Sequence, residues 1–326
     1  MSSLKTTAPR ELFAHLPTRI EALPCLTEEL GGAQILIKRD DQTGLAFGGN
    51  KTRKLEFLIA AARQQSAATL VTGGAIQSNH CRQTAAAAAR FGLDCVLVLT
   101  GEKPQRPSAN LLLDRFFGAR VVFVEQRSER DRILQETFDA VAREGGRPYL
   151  LPYGGSSPIG ALGYAFAMQE FMEQGVPADW LVFGTSSGGT HAGLVLGQRL
   201  CSYAGRVLGI SIDEPEDWLK SHVSSLATQA SQHFGDRIDF GRDDVLATDA
   251  YCRAGYGVVT PAEREAIGLF ARTEGVLLDP VYTGRAAAGL IDLVRNGYFG
   301  RNDTVLFWHT GGQPALFADQ YGDTLL

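Results

Sequence analysis

TLVTGGAIQSNH at residues 69–80, running on into CRQTAAAAARF at 81–91, sets a β-branched run against an alanine-rich stretch, with glycines between them. The first part reads as a strand over 69–72, because an unbroken apolar run suits a sheet covered on both faces. The second reads as a helix over 79–91, since alanine loses no side-chain entropy there and permits close packing. Strand, glycine turn and helix in that order form half of a βαβ unit.

The same alternation extends in both directions. Further strands are predicted at 35–38, 95–99, 121–124, 181–183, 207–212 and 305–308, with helices at 52–64, 108–117, 130–144, 160–173, 191–203 and 261–273. This implies an α/β protein with mostly parallel sheets flanked by helices. A chain of 326 residues is long enough for about two domains at roughly 150 residues each. The turn-rich stretch 153–158 reads as a crossing point between two sheets, and a second boundary falls near 59–65. The expected division is a small inserted domain, 59–162, within a larger discontinuous one, 1–58 and 163–326.

Thirty-one Lys and Arg against 36 Asp and Glu leave a net charge of −5, without a long basic block, which argues against nucleic acid or an anionic membrane as partner. Hydrophobic residues at 44% and charged residues at 21% are the usage of a soluble globular protein and exclude a disordered chain. No apolar run approaches the ~20 residues of a membrane span. Residues 1–17 lack the apolar core of a signal peptide. Cys25, Cys81, Cys95, Cys201 and Cys252 are odd in number and never spaced Cys-x-x-Cys, so each is expected to be a small buried hydrophobe in a reducing cytoplasm. The absence of His-x-x-x-His and of carboxylate clusters predicts no metal.

Four glycine-rich segments sit between predicted elements: Gly48-Gly49-Asn50-Lys51-Thr52, Gly73-Gly74-Ala75-Ile76-Gln77-Ser78-Asn79-His80, Gly184-Thr185-Ser186-Ser187-Gly188-Gly189-Thr190 and Thr310-Gly311-Gly312. In open α/β sheets ligands bind beyond the carboxyl ends of the strands, where such loops gather. Glycine lets backbone N–H groups approach an anion, and the following helix adds its positive dipole end. One loop means only a tight turn; four together point to a phosphate-bearing ligand. Residues 44–52 nearly spell a P-loop, but Asn50 separates the second glycine from Lys51. No segment reads Gly-x-Gly-x-x-Gly, which disfavours a dinucleotide. Lys51 at a helix start is unfavourable with the dipole as an ammonium, and that setting favours the neutral amine that attacks an aldehyde. A Schiff base to pyridoxal phosphate, with Lys54 one turn along, accounts for the set. The residues alone leave that reading and a solvated lysine both open.

Lys38-Arg39-Asp40-Asp41, Gly48-Gly49-Asn50-Lys51-Thr52-Arg53-Lys54-Leu55-Glu56, Gln77-Ser78-Asn79-His80 and Asp279-Pro280-Val281-Tyr282-Thr283-Gly284 resemble one family. It is the fold type II (tryptophan synthase β-like) pyridoxal-phosphate enzymes related to 1-aminocyclopropane-1-carboxylate (ACC) deaminase and D-cysteine desulfhydrase. The resemblance spans nearly the whole chain. It implies pyridoxal 5′-phosphate as cofactor, a large cofactor domain holding both chain ends, and a homodimer. It also implies Lys51 as the Schiff-base lysine and Asn79 as the donor to the pyridoxal 3′-oxygen. Ser187, Gly188, Gly189 and Thr190 would form the phosphate loop, with Lys54 adding charge. Ser78, Asn79 and His80 would hold the substrate carboxylate, and Tyr282 and Tyr256 would flank substrate and cofactor.

Two positions choose within the family. ACC deaminases carry Glu and Leu where this chain has Thr283 and Thr310, the residues of the D-cysteine desulfhydrases. A threonine hydroxyl facing the pyridine nitrogen gives a weaker electron sink than a carboxylate, enough for expelling a β-thiolate but not for opening a cyclopropane. The expected reaction is α,β-elimination on a small amino acid, D-cysteine foremost, with Lys51 as base and Ser78 as carboxylate anchor. The alternatives are an L-cysteate sulfo-lyase, an ACC deaminase and a non-catalytic pyridoxal-phosphate-binding protein. Arg82, Arg253 and Trp308 are candidates for a sulfonate, the arginines being read first as exposed surface. His80 is as readily a structural hydrogen bond at a helix start, and His191 and His309 are expected to be structural.

Overall fold

The computed structural model describes residues 3–325 and contains two open sheets. The larger sheet comprises β1 (Ile20–Ala22), β2 (Gln34–Lys38), β7 (Trp180–Thr185), β8 (Arg206–Ser211), β9 (Leu246–Thr248) and β10 (Thr304–Trp308). Its order is β1-β2-β10-β7-β8-β9, and every pairing is parallel except β1 with β2. The smaller sheet, β3 (Thr69–Ala75), β4 (Asp94–Thr100), β5 (Arg120–Val124) and β6 (Pro148–Leu150), is parallel throughout in the order β5-β4-β3-β6. The helices are α1 (Pro24–Leu30), α2 (Asn50–Gln64), α3 (Asn79–Phe91), α4 (Ala109–Phe116), α5 (Arg130–Arg143), α6 (Pro158–Glu173), α7 (Gly189–Leu200), α8 (Glu216–Ser231), α9 (Pro261–Glu274) and α10 (Thr283–Arg295), with short helical turns between.

Side chains alternate across a strand, so an unbroken apolar strand supplies two cores at once. On β10, Leu306 and Trp308 join the core under α6, α7 and α8, whereas Val305 and Phe307 join the one under α1, α9 and α10. On β7, Leu181 and Phe183 face the first core, Trp180 and Val182 the second. The smaller sheet repeats the scheme, with Leu97 and Leu99 packed on α2, α3 and α4, and Val71 and Val96 on α5. Helix α2 belongs to both bodies: Phe57 lies in the larger core, Leu55, Leu58 and Ile59 in the smaller. This shared helix also carries Lys51, so the packing of both sheets bears on one side chain.

The seven predicted strands and seven predicted helices each overlap an observed element. Strands β1, β6 and β9 are three residues each, too short for a period to show, and α1, α8 and α10 are further elements beyond the predicted set. Cys81, Cys95 and Cys201 are buried, but Cys25 is exposed and Cys252 half-buried, which corrects the expectation for those two. All five are free thiols.

Candidate active site

The carboxyl ends of β3, β7 and β10 open onto the start of α2, and their loops line one cavity between the two sheets. Lys51, Lys54, Ser78, Asn79, His80, Ser187, Gly188, Gly189, Thr190, Tyr282 and Thr310 all border it. Asn50, Tyr153, Gly154 and Thr185 border it too. Of these, Asn50 and Thr185 belong to the glycine-rich segments and Tyr153 and Gly154 to the turn-rich stretch 153–158, but no motif in the sequence gives any of the four a role of its own.

Lys51 projects from the first turn of α2, and its Nζ donates to the Gly154 carbonyl at 3.1 Å; Lys54 Nζ donates to the same oxygen at 3.2 Å. Gly154 has φ of 64°, where a Cβ would stand 2.3 Å from Ser187 Oγ, so glycine is required. Among the described residues no carboxylate pairs with either ammonium. Burial brings Lys51 down to about 8, and Lys54 is driven well below its ordinary value by burial and by Lys51. The same two causes, burial first and then the lysine charges, hold His80 well below its usual range and neutral. Two desolvated amines and no anion form an electropositive cup.

The floor of the cup is the start of α7. Gly188 caps this helix with φ of 77°, and the Gly189 N–H donates to Ser156 Oγ at 3.0 Å. Ser156 and Ser187 hydroxyls are 2.8 Å apart, and Asn50 Nδ2 donates to Thr190 Oγ1 at 3.0 Å. The Thr185 hydroxyl is buried without a protein partner at the cavity wall. Hydroxyls, uncompensated lysine amines and the positive dipole end of the helix form a donor set for a phosphate.

Ser78 and His80 also line the cavity. Ser78 caps α3, its Oγ accepting from the Cys81 N–H at 3.2 Å. His80 Nε2 bonds the Thr72 hydroxyl at 3.0 Å, while its Nδ1 is buried without a partner. The structure therefore gives His80, a residue of the cavity lining, a structural hydrogen bond through Nε2 and leaves Nδ1 without a protein partner.

Tyr282 borders the cavity, and Tyr256 meets it edge-on with the two hydroxyls 2.8 Å apart. Tyr256 touches the cavity only through this partner. Burial raises both phenols well above their ordinary value, so each keeps its proton. Asp279 sets the position of Tyr282: its carboxylate accepts from the N–H groups of Val281, Tyr282 and Thr283. Buried Arg285 holds the Tyr256 loop by donating to the carbonyls of Gly255 and Val258, and it pairs with Glu263.

Thr283 corrects an expectation. Its hydroxyl donates to Asp279 Oδ1 at 2.8 Å and accepts from the Asp279 N–H at 2.7 Å, and it is fully buried outside the cavity lining. Of the two threonines, only Thr310 meets the cavity. Arg82 is also corrected, being fully buried; Arg253 is exposed and Trp308 lies in the core beside Lys38. His309 Nε2 meets the Leu277 carbonyl and its Nδ1 accepts from the Gly311 N–H, which fixes the turn after β10. His191 is buried edge-on to Phe183 with no partner for either nitrogen. Among the described residues no three His, Cys, Asp or Glu side chains gather as metal ligands, and no helix is long and apolar enough to cross a membrane.

Comparison with known proteins gives an independent reading. The family model "Pyridoxal-phosphate dependent enzyme" matches residues 12–311. The D-cysteine desulfhydrase of Salmonella typhimurium (strain LT2) is 42% identical over 322 residues, covering 96% of this chain and 97% of that protein. A solved structure described as an ACC deaminase homologue superposes with a TM-score of 0.90 at 38% identity, covering 98% of this chain and 96% of the other. A fungal L-serine ammonia-lyase from Rhizomucor miehei shares the fold, with a TM-score of 0.70 at 16% identity over 96% of this chain and all of that one.

Proposed function

From the premise that the chain belongs to the family of pyridoxal-phosphate-dependent enzymes, we propose that it is a carbon–sulfur lyase converting D-cysteine to pyruvate, hydrogen sulfide and ammonia. The cavity fits the cofactor on its own chemistry. The start of α7, the Thr185 hydroxyl and the Lys51–Lys54 pair match a phosphate, and Lys51 is the amine for the aldehyde. When bound, pyridoxal phosphate supplies the conjugated ring that takes up the electron pair released at the substrate α-carbon.

This chain's residues supply the rest. Lys51, lowered to about 8 by burial, holds a usable fraction of neutral amine near pH 7 and takes the α-proton as general base. Ser78 and the first turn of α3 hold the substrate carboxylate at the positive end of that helix. Asn79 donates to the cofactor's 3′-oxygen. Tyr282, with Tyr256 behind it, keeps a proton at the cavity edge. Thr310 borders the cavity and Thr283 does not, which supports Thr310 as the partner of the ring nitrogen; among the described residues no carboxylate lines the cavity. That observation carries the choice of elimination over cyclopropane opening, in line with the 42% identity to a D-cysteine desulfhydrase.

The division into 1–58 with 163–326 and 59–162 is part of this reading, with one cut falling inside α2 and the other inside α6. So are a homodimer and a cytoplasmic setting. The test is pyruvate and sulfide measured together from cofactor-loaded protein and D-cysteine. Matched release is expected; no product from D-cysteine, with ammonia released from ACC or sulfite from L-cysteate, would overturn the substrate.

A further inference from the structure

The Asn79 side chain can be oriented by deduction. The Gln77 carbonyl only accepts, so the Asn110 atom 2.8 Å from it is the amide nitrogen. Asn110 Oδ1 is then left to accept from Arg82 Nη1 at 2.8 Å. That same Asn110 nitrogen lies 3.0 Å from one Asn79 side-chain atom, and Arg82 Nη1, which only donates, lies 2.8 Å from it. Two donors converging on one atom make it the carbonyl oxygen. Asn79 Nδ2 therefore points the other way, toward Gly312, where a Cβ would stand 2.9 Å from it.

Arg82 is fully buried in α3, and its Nη2 donates to the Gly48 carbonyl at 2.9 Å, two residues ahead of α2. One guanidinium thus ties the loop that presents Lys51 to the helix that presents Asn79. Its Nε and both carboxyl oxygens of buried Asp114 have no partner. Burial brings Arg82 down to about 10 while Asp114 and Asp279 oppose that fall, so it remains charged at neutral pH. A charged donor on the amide oxygen polarises the amide and strengthens its N–H as a donor.

Resting on the reading of the site given above, we propose that Arg82 and Asn110 form a clamp that fixes the Asn79 amide with its N–H toward the cofactor's 3′-oxygen, making Arg82 a positioning residue for the reaction.

The test uses Arg82→Gln, Asn110→Asp and Asn79→Ala, singly and combined. The readouts are cofactor affinity, the pH midpoint of the bound cofactor's near-visible absorbance, and thermal unfolding of the apoprotein. Asn110→Asp keeps an acceptor for Arg82 but sets a second acceptor against Asn79 Oδ1, which favours turning the amide over; it carries the test if Arg82→Gln does not fold. Loss of one charge-assisted bond weakens cofactor binding about tenfold. A weaker donor leaves more negative charge on the 3′-oxygen to hold the proton it shares with the Lys51 nitrogen, so the midpoint rises. With Ala at 79, neither clamp variant moves the midpoint further. Unchanged midpoints, or equal shifts with Asn and with Ala at 79, would overturn the clamp. Should wild-type protein form no near-visible band with pyridoxal phosphate, the cofactor reading fails; the apoprotein still decides the clamp, non-additive losses from Arg82→Gln and Asn79→Ala supporting it and additive losses refuting it.

Discussion

Helix α2 carries two buried cationic clusters within one turn, and they are built on opposite rules. Arg53 lies between Asp40 and Glu170, with Lys38, Thr18 and Tyr164 completing the network. Burial alone would lower Arg53, yet the two carboxylates reverse that and raise it well above its ordinary value. Lys51 and Lys54, on either side of Arg53 in sequence, share one carbonyl and have no carboxylate partner among the described residues. The first cluster is neutral, two cations against two anions, and holds α2 against α6 and β2. Burial lowers Lys38 in the first cluster too, but Asp40 and Glu170 oppose that fall; in the second no carboxylate opposes it, and both amines are lowered. A buried cation with its counter-ions is structure; one without them is held ready for a ligand anion and for nucleophilic chemistry.

The largest break in this contrast is Lys51→Ala. Removing the proposed Schiff-base amine, which is also the proposed base, should cost at least about 10³-fold in pyruvate release, with little loss of fold. A variant that turned over at the wild-type rate would remove Lys51 from the chemistry. Next comes the paired cluster: Asp40→Ala leaves Arg53 buried with half its compensation, and should destabilise the protein by about 3–5 kcal/mol. Denaturant unfolding measures it, and a loss near zero would mean that the network is ornamental.

The smallest effect concerns pH. Lys51 is lowered from 10.5 to about 8 in the folded apoprotein, so between those values the unfolded chain binds the extra proton. Stability therefore rises with pH across that window and is lost as pH falls through about 8. Lys51→Met removes the titration, so its thermal midpoint relative to wild type should be highest at pH 7 and fall toward pH 9.5. A constant difference would show that Lys51 is not desolvated.

Much of this was legible. Lys51 stood out because an amine at a glycine-flanked helix start is electrostatically wrong for an ordinary surface residue. Helix α8 also carries a signal in the sequence: Leu219, Val223, Leu226 and Ala230 recur at helical spacing and are buried. Arg82 stands three residues after Asn79, one helical turn, which is the spacing at which side chains meet. An arginine in an alanine-rich helix nonetheless reads as surface, because the partners that bury it, Asn110 and the Gly48 carbonyl, lie 28 and 34 residues away.

The sequence by itself determined the α/β class and the glycine loops at strand ends, and it singled out Lys51 as the candidate amine. These depend on periods of two and 3.6 residues and on backbone freedom, all of them local properties. Only the tertiary structure decided which groups share a cavity. It turned Thr283 onto Asp279 and left Thr310 at the site, and it gave carboxylates to Arg53 while withholding them from Lys51. Charge compensation falls off with distance in space, and the distance between Arg53 and Glu170 is set by how α2 packs on α6, not by their separation of 117 positions along the chain.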